Sequence, residues 1–106
     1  MTGAVVVRYE TRDEAAAELN QRLVEDVFAE LNSRDPGGLR YLALRAENGT
    51  GFVHVAIFDG SGDPFADCAA FQRFQADVGA RLSSPPTVTR AQVVGTYLPQ
   101  QPGVRA

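Results

Sequence analysis

Apolar residues fall into four short runs and two longer periodic ones along this chain. The first run, residues 4–10, is Ala-Val-Val-Val-Arg-Tyr-Glu, and its β-branched centre predicts a strand. Thr11, with Glu14 three residues later, predicts a capping box that opens a helix. In that helix Leu19, Leu23, Val27 and Leu31 recur at steps of four with Val24 and Phe28 beside them, while Glu18, Arg22, Glu25, Asp26 and Glu30 fall on the solvent side. Pro36-Gly37-Gly38 ends it.

Residues 39–46 predict a second strand, and Asn48-Gly49 a hairpin turn, since this pair tolerates positive φ at little cost. The third strand, 52–58, therefore returns antiparallel. A second helix is expected from 65 or 67 to 82, with Phe71, Phe74, Val78 and Leu82 on one face, and a last strand over 87–97. The order βαββαβ predicts an α+β, ferredoxin-like domain: a four-stranded antiparallel sheet, strand order 4-1-3-2, with both helices on one face. It fills residues 1–98, and 99–106, rich in Pro and Gln, reads as a flexible tail.

Two helices cover one side of such a sheet. Val5, Val7 and Tyr9, Leu42 and Leu44, Val53, Val55 and Ile57, and Ala91 and Val93 are expected beneath them. The bare side would then carry Val6, Arg8, Tyr41, Ala43, Arg45, Phe52, His54, Ala56, Phe58, Val88, Arg90, Gln92 and Val94. That set is half apolar, more than a monomer tolerates in water, so a second copy of the sheet is expected to cover it, forming a homodimer.

The βαββαβ order, the segment Pro36-Gly37-Gly38-Leu39-Arg40-Tyr41, Phe52-Val53-His54-Val55 and the Phe71-x-x-Phe74-Gln75 spacing resemble the dimeric α+β barrel superfamily. The branch it is most similar to is that of the antibiotic-biosynthesis-monooxygenase-like domains, over about residues 5–97. The resemblance implies a dimer with a ligand pocket between sheet and helices in each subunit. The superfamily spans cofactor-independent monooxygenases of polycyclic aromatics, haem-degrading enzymes, isomerases and stress-response proteins. The oxygenases and haem-degrading members lean on pocket Trp and Asn. This chain has no Trp, and Asn20, Asn32 and Asn48 fall on a helix, a helix end and a turn. No His lies on the second helix, where the haem-degrading type takes its iron ligand, so haem chemistry is not expected.

Charge and composition narrow the chemistry further. Net charge is −3, and all ten basic residues are Arg, which excludes a Schiff-base lysine and a phosphate-loop lysine. No basic cluster suggests nucleic acid, and no apolar stretch approaches the ~20 residues of a membrane span. One Cys and one His make an intrachain zinc site improbable, and no cofactor is expected. A lone cysteine fits a reducing, cytoplasmic setting.

The one histidine, His54, has an ordinary pKa near 6.5 that suits a general base or substrate anchor, or it is a buried histidine bonded across a dimer or to Tyr41. Arg90, with Arg8 and Arg45, could hold an anion bidentately, or pair with Glu10 or Glu47 at a dimer rim. Tyr41 and Gln92 could orient a ligand, with Phe52 and Phe71 as apolar contacts; all four also suit packing. Cys68 suits burial as a small hydrophobe. Two functions fit: a cofactor-independent monooxygenase acting on a small aromatic or enolic metabolite, with His54 as base and Arg as anchor, or a non-catalytic dimeric small-molecule-binding or stress-response module.

Overall fold

A computed structural model describes residues 3–60 and 62–97. The tail expected over 99–106 lies outside the described residues. Strands β1 (Gly3–Glu10), β2 (Leu39–Arg45), β3 (Gly51–Phe58) and β4 (Thr87–Gln92) form one antiparallel sheet in the order β2-β3-β1-β4, the expected arrangement. Helices α1 (Glu14–Arg34), α2 (Ala69–Ala76) and α3 (Val78–Arg81) pack on one side of it. The fold is α+β and ferredoxin-like.

Local chemistry explains most boundaries. The β2–β3 turn closes through Ala46 N–H to the Gly51 carbonyl at 2.8 Å, with Gly49 at φ +91°. Asn48 Oδ1 accepts from the backbone N–H groups of Thr50 and Gly51, both at 3.0 Å. Helix α1 stops at Asp35, whose N–H still reaches the Leu31 carbonyl while its left-handed φ of 49° turns the chain out of the helix.

Three boundaries differ from expectation. Helix α1 is capped by Asp13, which accepts from Ala16 N–H at 2.8 Å, and not by Thr11. Thr11 is instead drawn into a bridge with Leu82, and its hydroxyl donates to the Thr50 carbonyl at 2.9 Å. The second helix is two shorter ones, because residues 64–67 form turns and Asp77, at φ −122° and ψ 25°, interrupts the remainder. Asp and the nearby Gly79 are both weak helix formers. Strand β4 ends at Gln92; beyond it Val94 and Tyr97 are exposed and unpaired.

The larger correction concerns the faces of β2 and β3. Registered partners share a side of the sheet, and Val7 pairs with His54, Tyr9 with Phe52, Ala43 with His54 and Tyr41 with Ala56. These residues, with Val5, Arg45 and Phe58, face the helices. The bare side carries Val6, Arg8, Leu42, Leu44, Val53, Val55 and Ile57. Leu42 and Leu44, expected in the core, are 54% and 50% exposed. The helices supply the reason. Phe28 of α1 stacks on Tyr41 at 4.8 Å between centroids, and Phe74 of α2 meets the His54 ring at 5.7 Å. Aromatic surface on the helices matches the aromatic side of the sheet, and Asn20 of α1 bonds the Tyr9 hydroxyl that in turn meets the imidazole. In β4 the residues registered with Val5 and Val7 are Arg90 and Val88, so these point to the helix side, and Ala91 to the bare side. The whole of β4 is exposed.

Candidate functional site

Between sheet and helices lies a cavity of about 210 Å³, walled by Val5, Val7, Tyr9, Tyr41, His54, Ala56, Phe58, Phe65, Phe71, Phe74 and Gln75. Strands β1, β2 and β3 supply the floor, the turn after β3 contributes Phe65, and α2 supplies the roof. Phe65 stacks on Phe71 at 4.5 Å and meets Tyr41 edge-on at 5.2 Å, so the walls are largely aromatic. At this volume the cavity is smaller than the roughly 300–1,000 Å³ usual for drug-sized ligands. It suits a compact ring.

One wall is polar, and it is a continuous hydrogen-bonded chain. His54 Nδ1 lies 2.6 Å from the Tyr41 hydroxyl, and Nε2 lies 2.7 Å from the Tyr9 hydroxyl. Asn20 of α1 donates through Nδ2 to the Tyr9 oxygen at 2.8 Å, and its Oδ1 accepts from Arg81 Nε at 3.0 Å. Arg81 of α3 also donates from Nη2 to the Phe74 carbonyl at 2.8 Å and lies over the Phe74 ring. Asn20 is 0% exposed, Arg81 3% and His54 6%.

Burial governs the protonation of this wall. Desolvation pulls His54 down to about 4, so its imidazole is neutral at neutral pH. Burial pushes Tyr9 up to about 12, partly offset by the Asn20 hydrogen bond and the Arg81 charge. It also raises Tyr41, and lowers Arg81 from its usual value. Both tyrosines are therefore protonated, and the wall holds neutral, polarisable donors and acceptors rather than a ready-made anion.

The residues singled out from sequence are only partly gathered here. His54, Tyr41 and Phe71 line the cavity. Phe52 sits behind it, stacked on Tyr9 at 5.5 Å. Arg45 shares that side of the sheet but is tied down at its far end, bonded to the Gly49 carbonyl, Glu18 and Gln21 at 2.8–2.9 Å, with Glu14 at 3.6 Å. Arg8 lies on the opposite face, and Arg90 and Gln92 are exposed on β4. Of the two roles open for His54, the bond to Tyr41 is present.

Sequence reasoning assigned no site role to Tyr9, Asn20, Phe65, Gln75 or Arg81. For Asn20 a signal existed: Ala16, Asn20, Val24 and Val27 are all buried and recur at helical spacing, so a lone amide interrupts an apolar stripe. Arg81 gave no such sign. Among the described residues no group of three or more His, Cys, Asp or Glu side chains is placed to hold a metal, and no helix is long and apolar enough to cross a membrane.

No family model and no curated protein matches the chain. Solved structures do. A candidate antibiotic biosynthesis monooxygenase from Nitrosomonas europaea superposes with a TM-score of 0.70 at 15% identity, covering 88% of this chain and 90% of that one. SnoaB, a cofactor-independent oxygenase from Streptomyces nogalater, gives 0.58 at 19% identity, covering 93% and 98%. A monooxygenase from the gene ActVA-Orf6 of Streptomyces coelicolor, in complex with the ligand nanaomycin D, gives 0.54 at 19% identity and 92% of both chains. The chain shares the fold of these monooxygenase-like proteins.

Proposed function

We propose that the chain is a small cofactor-independent monooxygenase acting on a compact electron-rich phenol or enol seated in the aromatic cavity. The observation that carries this reading is the pairing of an apolar cavity with a single polar wall, Tyr41–His54–Tyr9. The fold shared with cofactor-independent oxygenases supports it. In the proposed reaction a phenol and O₂ give a quinone and water: one oxygen atom enters the ring, the other leaves as water, and the ring supplies the electrons. The phenolate is the form that O₂ oxidises, so the polar wall's task is to hold the substrate's oxygen in its anionic form. Among the described residues no arginine lines the cavity, so anchoring falls to the hydrogen-bonding wall.

The test is oxygen uptake with small phenols, such as dihydroxynaphthalenes, by the wild type beside His54→Ala. Loss of the imidazole that links the two tyrosines should lower kcat/KM by about 100-fold or more. Equal rates would remove His54 from the mechanism. A second reading, ligand binding without turnover, is favoured by the absence of any charged side chain in the cavity wall. Saturable binding with no oxygen uptake would establish it.

The bare sheet face supports a homodimer. Leu42 and Leu44 stand half-exposed beside Val6, Val53, Val55 and Ile57, a continuous aliphatic surface that a two-fold partner would cover. Sedimentation should give a dimer at micromolar concentration, and Leu42→Glu with Leu44→Glu should dissociate it. A wild-type monomer at that concentration would overturn the assignment.

A further inference from the structure

We propose that Asn20 and Arg81 are positioning residues that set the direction of the whole hydrogen-bonded chain, so that it ends with the Tyr41 hydroxyl donating into the cavity. This deepens the reading above, because it specifies the ligand form the wall receives: an oxygen that accepts, such as a phenolate or enolate, and not a hydroxyl that donates.

The direction of the chain follows from a count of protons. Arginine nitrogens only donate. Arg81 Nε therefore fixes Asn20 with Oδ1 towards α3 and Nδ2 towards Tyr9, the orientation observed. The Tyr9 oxygen then accepts from Asn20, and the one acceptor left for the Tyr9 proton is His54 Nε2 at 2.7 Å. A neutral imidazole carries one N–H, so the proton sits on Nδ1 and is donated to Tyr41 at 2.6 Å. Tyr41 is thereby an acceptor from His54, and its own proton has no acceptor among the described residues. Tyr41 lines the cavity, and the surplus proton is available there.

The opposite direction fails at its buried end. If Tyr41 donated to Nδ1, Nε2–H would donate to Tyr9, whose oxygen already accepts from Asn20. The Tyr9 proton would then have no acceptor among the described residues, and Tyr9, though it also borders the cavity, is buried where Tyr41 is only half-buried, so an unpaired donor costs more there. Every link in the favoured direction polarises the next. At the far end stands Arg81, a buried cation with no carboxylate in ion-pair range among the described residues. Its charge favours a negative oxygen at the other end. The site as wired stabilises a substrate anion rather than removing a proton from a neutral substrate.

Because His54 is the chain's only histidine, its two ring nitrogens can be read without assignment in ¹⁵N-histidine-labelled protein. The wild type should show the Nδ1–H tautomer at neutral pH. In Asn20→Asp the carboxylate accepts from both Arg81 and Tyr9, the chain reverses, and His54 should switch to Nε2–H. Tyr41→Phe should keep the Nδ1–H tautomer of the wild type and lose the cavity donor.

The probe ligand is 4-nitrophenol, whose ionisation is followed by absorbance. On binding, its ionisation should become about tenfold easier in the wild type, as expected for one hydrogen bond to a charged oxygen. The gain should vanish in Tyr41→Phe and reverse in Asn20→Asp. An Nε2–H tautomer in the wild type overturns the proposal, as does an unchanged tautomer in folded Asn20→Asp. If Asn20→Asp does not fold, the wild-type tautomer and Tyr41→Phe still decide. Failure of 4-nitrophenol to bind, with Nδ1–H present, counts against the functional reading and leaves the wiring standing.

Discussion

Phe74→Ala should lower the free energy of unfolding by about 3–5 kcal/mol, the usual range for removing a buried phenylalanine. The ring is buried where three parts of the structure meet: the His54 imidazole at 5.7 Å, the Phe71 ring at 6.3 Å, and the Arg81 guanidinium at 5.1 Å. Its loss would merge with the cavity already present, leaving little chance for the walls to collapse inwards. For a domain whose total stability is of order 5–15 kcal/mol, the variant would be close to its limit. Urea denaturation of the two proteins measures the difference. A loss below about 1 kcal/mol would show that α2 does not seat Phe74 over the sheet as described.

Acid should destabilise the fold through a single imidazole. His54 is held at about 4 in the folded chain, against 6.5 for an unhindered histidine. Between these values the unfolded chain binds the proton and the folded one does not, so stability falls as pH falls. The contribution is fully present above about pH 6.5. About 2 kcal/mol should be lost by pH 5, and about 3 kcal/mol once pH passes below 4. Glu30 is lowered too, chiefly by the backbone N–H of Ala70, and its contribution is lost only in a more acidic range. Denaturation at pH 7 and pH 5 should therefore show the slope in the wild type and not in His54→Gln. An equal slope in both would assign it to the carboxylates.

Strand order and the number of strands could be read from the sequence because each depends on local signals: β-branched runs, Asn48-Gly49, and apolar residues at helical steps. Which side of β2 and β3 meets the helices could not. Both sides of β3 are apolar, Phe52, Ala56 and Phe58 against Val53, Val55 and Ile57, and alternation alone does not rank them. The decision lies in what the helices offer, aromatic rings and one amide, and that is a tertiary fact. His54 looked like the odd residue on a bare face because its partners are distant in sequence. Tyr9 is 45 residues away, and Asn20 and Arg81 are 61 residues apart. Hydrogen bonds across such separations leave no periodic trace. His54, Tyr41 and Phe71 were nonetheless identifiable, since an imidazole beside aromatic residues is unusual wherever the strand faces.

Strand β4 closes one end of the sheet, and beyond it no further strand pairs among the described residues. Such a border exposes a row of unsatisfied amides and carbonyls on which another polypeptide could extend the ladder. Two features limit this growth. Pro85 and Pro86 precede the strand and withhold N–H donors, and the Arg90 charge sits near its middle. Fibril-like stacking is thereby disfavoured at the sheet's least protected margin, whatever small molecule the interior holds.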